Sequence, residues 1–391
     1  MISVAEALER LFALADLAGE ESVPLDAAAG RVLRRPLVAI RDQPPFDSSA
    51  MDGWALRQAD AVPGARLRIV GEAPAGRRWI GRLGPGETVR ILTGAPIPEG
   101  ADAVVIQEEA RREGDTLILS PTATAGHVRP RAGDFAAGAV LAAPRRLSPF
   151  DIALAAAQGH AILPVAQRPR VALLSTGDEL VMPGDSPRDD QIFAANAFGL
   201  AALLRADGAE PRILPLVPDD SAALTFALTL AEDADLVVTI GGASVGDRDL
   251  VAPTLRSLGA RIDFHRVAMR PGKPLMAGRL ADGRPVLGLP GNPVSALVCG
   301  LVFLRPLLLA MQGLPPAPTP RLRAPLAEPL PPGGPREHYR RARRCPDGRV
   351  APLSNQDSSL LTVLCEADGL LVDPVGAPAR ATGEMIDFIP I

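Results

Sequence analysis

Apolar positions at Val4, Ala7, Leu8, Leu11 and Leu14 recur at helical spacing behind Ser3-x-x-Glu6, which has the form of a capping box, so an amphipathic helix is expected there and a second from Asp26. From about residue 43 to 144 the texture changes to short β-type runs between Gly and Pro, at 67–69, 88–92, 103–107, 116–119 and 139–141, the pattern of a small, mostly β insert. Residues 148–157 read as helix again and 164–170 as a connector. Between 170 and about 311 strands at 171–174, 213–217, 236–240, 262–267 and 286–289 alternate with helices at 194–206, 221–231, 250–258 and 294–311. Such alternation calls for a mostly parallel sheet covered on both faces, a doubly wound α/β core. A Pro-rich linker at 314–320 leads to a last segment with β runs at 370–373 and 385–389, which fits a small β domain. The expected domains are therefore 1–42 plus 145–169 as a linker, 43–144 as the insert, 170–313 as the α/β domain and 321–391 as the C-terminal β domain.

A chain of 391 residues, 47% of them apolar, has material for several cores. The net charge of −4 is slight, and no Lys/Arg run is interleaved with aromatics, so no nucleic-acid surface is expected and the partners should be small molecules or protein. The first ten residues alternate carboxylates with apolar side chains, unlike a secretory signal, which points to a cytoplasmic protein. The apolar run at 294–311 is interrupted by Arg305-Pro306 and short for a membrane span, so a buried helix and no membrane partner are expected. Cys299, Cys345 and Cys365 are odd in number and lack CxxC or CxxxH spacing, which argues against disulfides, structural zinc and thiol chemistry. Lys273 is the only lysine. Either chance left it, or that place needs a compact point charge where arginine would not serve.

In an open α/β sheet ligands bind beyond the C-terminal strand ends, so the loops after Leu174, Val217, Ile240 and Leu289 should hold the chemistry. They read Ser175-Thr-Gly-Asp-Glu179, Pro218-Asp-Asp220, Gly241-Gly-Ala-Ser244-Val-Gly246-Asp-Arg-Asp249 and Pro290-Gly-Asn-Pro293. Glycines that admit backbone N–H groups, a serine hydroxyl and a helix start together suit a phosphate-bearing ligand. Glu179, Asp219 and Asp249 would share one rim, where carboxylates beside a phosphate can hold Mg²⁺, although Asp219 or Asp220 singly could be no more than a helix cap. The segment Arg266-Val-Ala-Met-Arg270-Pro-Gly-Lys273-Pro274 fixes three cations between prolines, which suits a tetrahedral oxyanion or else forms a solvated basic loop. The polar loops around Asp47-Ser-Ser-Ala-Met-Asp52, Thr93-Gly-Ala-Pro-Ile-Pro98 and Arg129-Pro-Arg-Ala-Gly-Asp134 are candidates for binding, or simply turn the chain.

Pro45-Phe-Asp-Ser-Ser-Ala-Met-Asp-Gly-Trp-Ala55, Leu92-Thr-Gly-Ala-Pro-Ile-Pro98, Ser175-Thr-Gly-Asp-Glu-Leu180, Gly241-Gly-Ala-Ser-Val-Gly246, Arg270-Pro-Gly-Lys-Pro274 and Leu289-Pro-Gly-Asn-Pro-Val-Ser-Ala296 resemble, in one order over nearly the whole chain, the molybdopterin molybdenumtransferase (MoeA) family, to which the E domain of gephyrin also belongs. The resemblance implies a molybdopterin-binding-like α/β domain and a homodimer joined through the linker domain. The cleft would lie between the α/β domain of one subunit and the insert of the other. It implies adenylyl-molybdopterin and molybdate as substrates, Mg²⁺ as cofactor, hydrolysis of the adenylate and release of AMP, and allows transient contact with a molybdopterin adenylyltransferase.

Carried over by motif position, Glu179, Asp219 and Asp249 would manage nucleotide and magnesium, and Asp52 and Asp134 would complete the cleft. Asp52, Asp134, Glu179, Asp249 and Lys273 would act in catalysis. Ser175, Thr176, Gly177, Gly241, Gly242, Ser244, Gly246, Pro274, Pro290, Gly291 and Asn292 would bind substrate. Arg266, Arg270 and Lys273, with Arg341 and Ser358, resemble the molybdate and pterin-phosphate pocket. Many relatives have lysine at the first two positions and Gln-Gly-Ser where this chain has Gln356-Asp-Ser358, and Tyr339-Arg-Arg-Ala342 leaves Arg340 and Arg341 both open. The rival readings are an adenylyltransferase acting one step earlier and a scaffold that has lost catalysis, and the choice of molybdate over tungstate stays open.

Overall fold

The structure is a computed structural model that describes residues 1–242 and 250–391. Its centre is a six-stranded sheet in the order Glu210–Ile213, Arg170–Ser175, Leu236–Ile240, Pro285–Leu289, Pro274–Arg279, Arg261–Arg266. The first four strands run parallel, Pro274–Arg279 runs antiparallel to them, and Arg261–Arg266 pairs antiparallel with Pro274–Arg279 and so shares the direction of the first four. The parallel strands Arg170–Ser175, Leu236–Ile240 and Pro285–Leu289 are buried nearly throughout, which explains their unbroken apolar runs. The helices Ala195–Ala206 and Pro293–Met311 cover one face, and Ser221–Thr229 and Val251–Ser257 the other.

Two details depart from the expected pattern. The strand expected at 213–217 lies earlier, at Glu210–Ile213. The strand Pro274–Arg279 was hidden by the prolines before it.

The long apolar helix is continuous through a π-helical turn at Gly300–Leu304, which stands directly before Arg305-Pro306. Pro293–Met311 is long and apolar enough to cross a membrane, but 83% of its most apolar stretch is buried inside the fold. It is a core helix.

The helix Val4–Phe12 is capped by Ser3, whose Oγ accepts from Glu6 N at 3.1 Å. Its buried face, Val4, Ala7, Leu8 and Leu11, joins the α/β core, and Ile2 bridges to Val267, so this helix packs with residues 170–313 rather than with the linker. The segment at Asp26 is only a single turn of tighter helix, Leu25–Ala27. Of residues 164–170, expected as a connector, 164–166 belong to the strand Ile162–Ala166, which lies between Glu20–Pro24 and Val32–Leu33 in a small sheet, and 167–169 link it to the strand that starts at Arg170. Beside that sheet, Pro149–Ala157 is a helix with a full capping box between Ser148 and Asp151.

The insert holds a seven-stranded sheet with Gly53–Leu56 between Ala103–Ile106 and Glu87–Ile91. All four residues of Gly53–Leu56 are buried, with separate apolar clusters packed around Ala55 and around Trp54 and Leu56. In the last segment Glu337–Arg344 pairs with Gly369–Asp373, and on its other side with the two-residue strand Met269–Arg270. The segment carrying Arg270 is thereby fixed onto the C-terminal sheet.

Candidate active site

At the C-terminal ends of the parallel strands the backbone laces four loops together. Thr176 N donates to Ile240 O at 3.0 Å, Gly177 N to Val217 O at 3.1 Å and Gly241 N to Leu289 O at 3.1 Å. They surround a cavity of about 730 Å³ lined by Ser175, Thr176, Gly177, Glu179, Asp219, Gly241, Gly242, Pro274, Pro290, Gly291 and Asn292, all expected there. Leu180, Ile192, Phe193, Asn196, Ser295 and Ser359 line it too and were not singled out by sequence.

Three glycines make this packing possible. A Cβ on Gly241, which has φ +91, would stand 2.7 Å from Thr176 O, and one on Gly242 would stand 2.5 Å from Val251 Cγ2. At Gly177 a Cβ would meet the Glu179 carboxylate at 2.5 Å, so this glycine is what lets Glu179 fold over the loop. The Thr176 hydroxyl is buried beneath Gly241 and Gly242 and has no hydrogen-bond partner among the described residues. Asn196 donates to Gly291 O at 2.7 Å and holds that turn in place.

Asp219 N donates to Asp178 Oδ1 at 3.0 Å, which ties the Asp219 loop to the loop of Glu179. Asp220, by contrast, is a helix cap that accepts from Ala223 N at 2.7 Å. Among the described residues no three His, Cys, Asp or Glu side chains form a metal cage. Mg²⁺ needs none, because it keeps waters and takes one or two carboxylates together with phosphate oxygens, and Glu179 and Asp219 offer two. Ser244, Gly246 and Asp249 lie outside the described residues.

The C-terminal domain closes one end. Asn292 Nδ2 donates to Ser358 Oγ at 3.0 Å, and Val294 N to Ser358 O at 3.0 Å. Behind Ser358 stands Arg341, 0% exposed, its Nη2 donating to Asp357 O at 3.3 Å and its Nη1 to Tyr339 O at 3.5 Å. Gln356 clamps the strand by hydrogen bonds to both Arg341 N and Arg341 O, each 2.9 Å.

No carboxylate pairs with Arg341 among the described residues, and its Nε has no partner. The Asp357 carboxylate is turned to Ser359 N and Oγ, at 2.8 and 2.7 Å. Burial, and then repulsion from Arg270, pull the Arg341 pKa down to about 10, with Asp357 opposing. Arg340 is different: it is ion-paired with the buried Asp373 at 3.1 Å. Of the two adjacent arginines, only Arg341 therefore has no ion pair among the described residues.

The distribution of similar proteins matches this arrangement. The MoeA N-terminal region (domain I and II) matches residues 2–159, the probable molybdopterin binding domain residues 172–310, and the MoeA C-terminal region (domain IV) residues 323–391. Molybdopterin molybdenumtransferase 2 of Mycobacterium tuberculosis is 39% identical over 379 residues, covering 93% of both chains. The chain belongs to the molybdopterin molybdenumtransferase family. As a member of that family it is a transferase enzyme. The Nostoc molybdopterin molybdenumtransferase is 41% identical over 304 residues, covering 75% of this chain and 70% of that one. The molybdopterin biosynthesis moeA protein of Pyrococcus horikoshii OT3 superposes with a TM-score of 0.85 at 27% identity over the full length of both chains.

Not every candidate residue reaches the cavity within one chain. Lys273, Arg266 and Arg270 are exposed near Pro274, which itself lines the wall, and Ser358 and the buried Arg341 stand behind it, so none of these five is part of the lining. Asp52 and Asp134 lie in the insert, exposed and away from the lining. The Asp52 carboxylate accepts from Thr93 N and Oγ1, both at 2.7 Å, and these bonds, helped by Arg90, hold it below the usual carboxylate range.

Proposed function

We propose that this enzyme inserts molybdenum from molybdate into adenylylated molybdopterin, with Mg²⁺-dependent hydrolysis of the adenylate and release of AMP. The observation that carries this reading is the buried Arg341 guanidinium. It makes no ion pair among the described residues, the Asp357 carboxylate being turned to Ser359, and it stands behind Ser358, which accepts from Asn292 of the cavity wall. Fixing an unpaired cation in a dry site costs several kcal/mol by order of magnitude, and an oxyanion bound there would offset that cost.

In this reading Ser175, Thr176, Gly177, Gly241 and Gly242 hold the nucleotide phosphates through backbone N–H groups and the Thr176 hydroxyl. Glu179 and Asp219 would hold Mg²⁺, with Asp249 from the residues outside the described ones. When bound, the ion would neutralise charge on the scissile phosphate. Arg270 and Arg341, with Arg266, Lys273 and Ser358, hold molybdate beside the dithiolene. The dithiolene sulfurs are soft ligands and molybdate brings its own oxygens, so the side chains position and balance charge rather than move protons. Asp52 and Asp134 reach the cavity from the insert of a second copy, in a cytoplasmic homodimer that also meets a molybdopterin adenylyltransferase.

An adenylyltransferase acting one step earlier would need only the α/β unit, whereas here the C-terminal domain hydrogen-bonds into the cavity wall through Ser358. Incubating the purified protein with adenylyl-molybdopterin and Mg²⁺, with and without molybdate, tests the proposal. Molybdate-dependent AMP release supports it. ATP-dependent adenylylation of free molybdopterin would assign the earlier step, and no turnover in either assay would leave a scaffold.

A further inference from the structure

Aromatic side chains make up only 3% of this chain, yet one of them, Phe193, stands in the wall of the active-site cavity with 49% of its surface exposed. Among the described residues of that wall it is the only aromatic. Its neighbour Ile192 is 59% exposed, and the stretch Ile192-Phe-Ala-Ala-Asn196 carries no charge. This part of the wall therefore differs from the glycine loops at Gly177 and Gly241-Gly242, which offer backbone donors to a phosphate.

The aromatic ring stands on a fixed base. Ile192–Phe193 pairs in parallel with Leu180–Val181, Ile192 N donates to Glu179 O at 2.7 Å and Ala194 N to Val181 O at 2.9 Å. Phe193 is thereby joined to the segment that carries Glu179. On its other side the chain enters the helix Ala195–Ala206, whose first turn brings Asn196 to the same cavity. The Asn196 amide has a set direction, because Nδ2 donates to Gly291 O at 2.7 Å. Its Oδ1 is the end left without a hydrogen-bond partner among the described residues.

A nucleobase is separated from its phosphate by one ribose, so a platform for the base has to adjoin the phosphate loops. An aromatic face stacks on a flat nitrogen heterocycle, and a fixed amide oxygen beside it reads the polar edge of the ring. We infer that Phe193 is the stacking platform for the adenine of the adenylylated substrate and that Asn196 Oδ1 accepts from its 6-amino group. Hypoxanthine and guanine carry a carbonyl oxygen at that position, which would set one acceptor against another. The inference rests on the nucleotide reading above and assigns the part of the cavity that recognises the base. The pterin of the same substrate is also a flat heterocycle that could stack on Phe193, and the two are separated by titrating them apart.

Calorimetric titration of the full chain in Mg²⁺ with AMP, IMP, ribose 5-phosphate and pterin tests the assignment without reference to turnover. The parent should bind AMP about tenfold more tightly than IMP. Phe193→Ala should weaken AMP about tenfold and leave ribose 5-phosphate unchanged, and Phe193→Trp should restore AMP. Because Phe193 is half-exposed, its thermal midpoint without ligand should stay at the parent value. Asn196→Ala also frees Gly291, so the ratio is the informative quantity there, and AMP over IMP should fall toward one. Phe193→Ala that binds AMP as the parent does, or that loses AMP and ribose 5-phosphate alike, overturns the platform and leaves the nucleotide reading standing. Loss of pterin with AMP unchanged would give the platform to the pterin and overturn the adenine assignment. A parent that binds IMP as well as AMP overturns the Asn196 contact, and one that binds neither AMP nor ribose 5-phosphate overturns the nucleotide reading as well.

Discussion

Replacing Arg341 by Met should make the fold more stable while destroying its use of molybdate. The guanidinium is 0% exposed, and its pKa falls from 12.5 to about 10, burial acting first and Arg270 second. At about 1.4 kcal/mol per pKa unit, carrying that charge costs the folded state on the order of 3 kcal/mol. Methionine would forfeit the two long hydrogen bonds to Tyr339 O and Asp357 O, worth about 1 kcal/mol together at these distances. The net expectation is a gain of about 1–2 kcal/mol, read as a higher urea midpoint without change of slope. Saturating molybdate should stabilise the parent, by about 2.7 kcal/mol at a hundred times its dissociation constant, and should leave Arg341→Met unmoved. A variant that loses stability, or that molybdate still protects fully, would show that the Arg341 charge is compensated within the chain and is not the oxyanion anchor.

Other substitutions probe neighbouring parts of the site. At Gly272, φ is +107 and a Cβ would strike Cys299 Sγ at 2.4 Å, so Gly272→Ala should displace the loop of Arg270 and Lys273 and cost about 1–3 kcal/mol. Its half-saturating molybdate concentration should rise more than its affinity for the nucleotide falls, which separate titrations resolve. Glu179→Gln should raise the Mg²⁺ needed for half-maximal AMP release about tenfold, as expected for loss of one anionic ligand, without altering the thermal midpoint in the absence of metal. His338 is buried among Arg340, Arg270, Arg341 and Arg336, and burial first, then these cations, push its pKa down to about 3 from 6.5. The unfolded chain therefore binds a proton below pH 6.5 that the folded chain refuses. Stability should fall by about 1.4 kcal/mol per pH unit from 6.5 toward 3, and His338→Gln should flatten that slope in urea melts at stepped pH.

The α/β core was legible because its signals are local. Fully buried parallel strands read as unbroken apolar runs, and the rule that ligands gather at strand C-termini located most of the cavity wall, from Ser175 to Asn292. What stayed hidden depends on tertiary context. Glu337–Arg344 looks like a solvated charge run, yet it is the strand at the heart of the C-terminal sheet, and it buries His338, Tyr339 and Arg341. Only strand alternation and the Asp373 partner of Arg340 separate the two arginines, and neither is visible in Tyr339-Arg-Arg-Ala342. Gly53–Leu56 has neither alternation nor length, so a central strand of the insert read as loop. The first helix showed its apolar stripe plainly, but nothing in that stripe said which core it would join. Asn196, which fixes Gly291 from a helix start, carries no motif at all.

The most direct test of molybdenum transfer is to incubate the protein with adenylyl-molybdopterin, Mg²⁺ and isotopically labelled molybdate, and to count metal bound to the dithiolene against AMP released. The account predicts about one molybdenum per AMP, with both falling together in Arg341→Met. AMP released in full with no metal on the dithiolene would contradict it, because hydrolysis would then run without the transfer that the Arg341 site is held to serve.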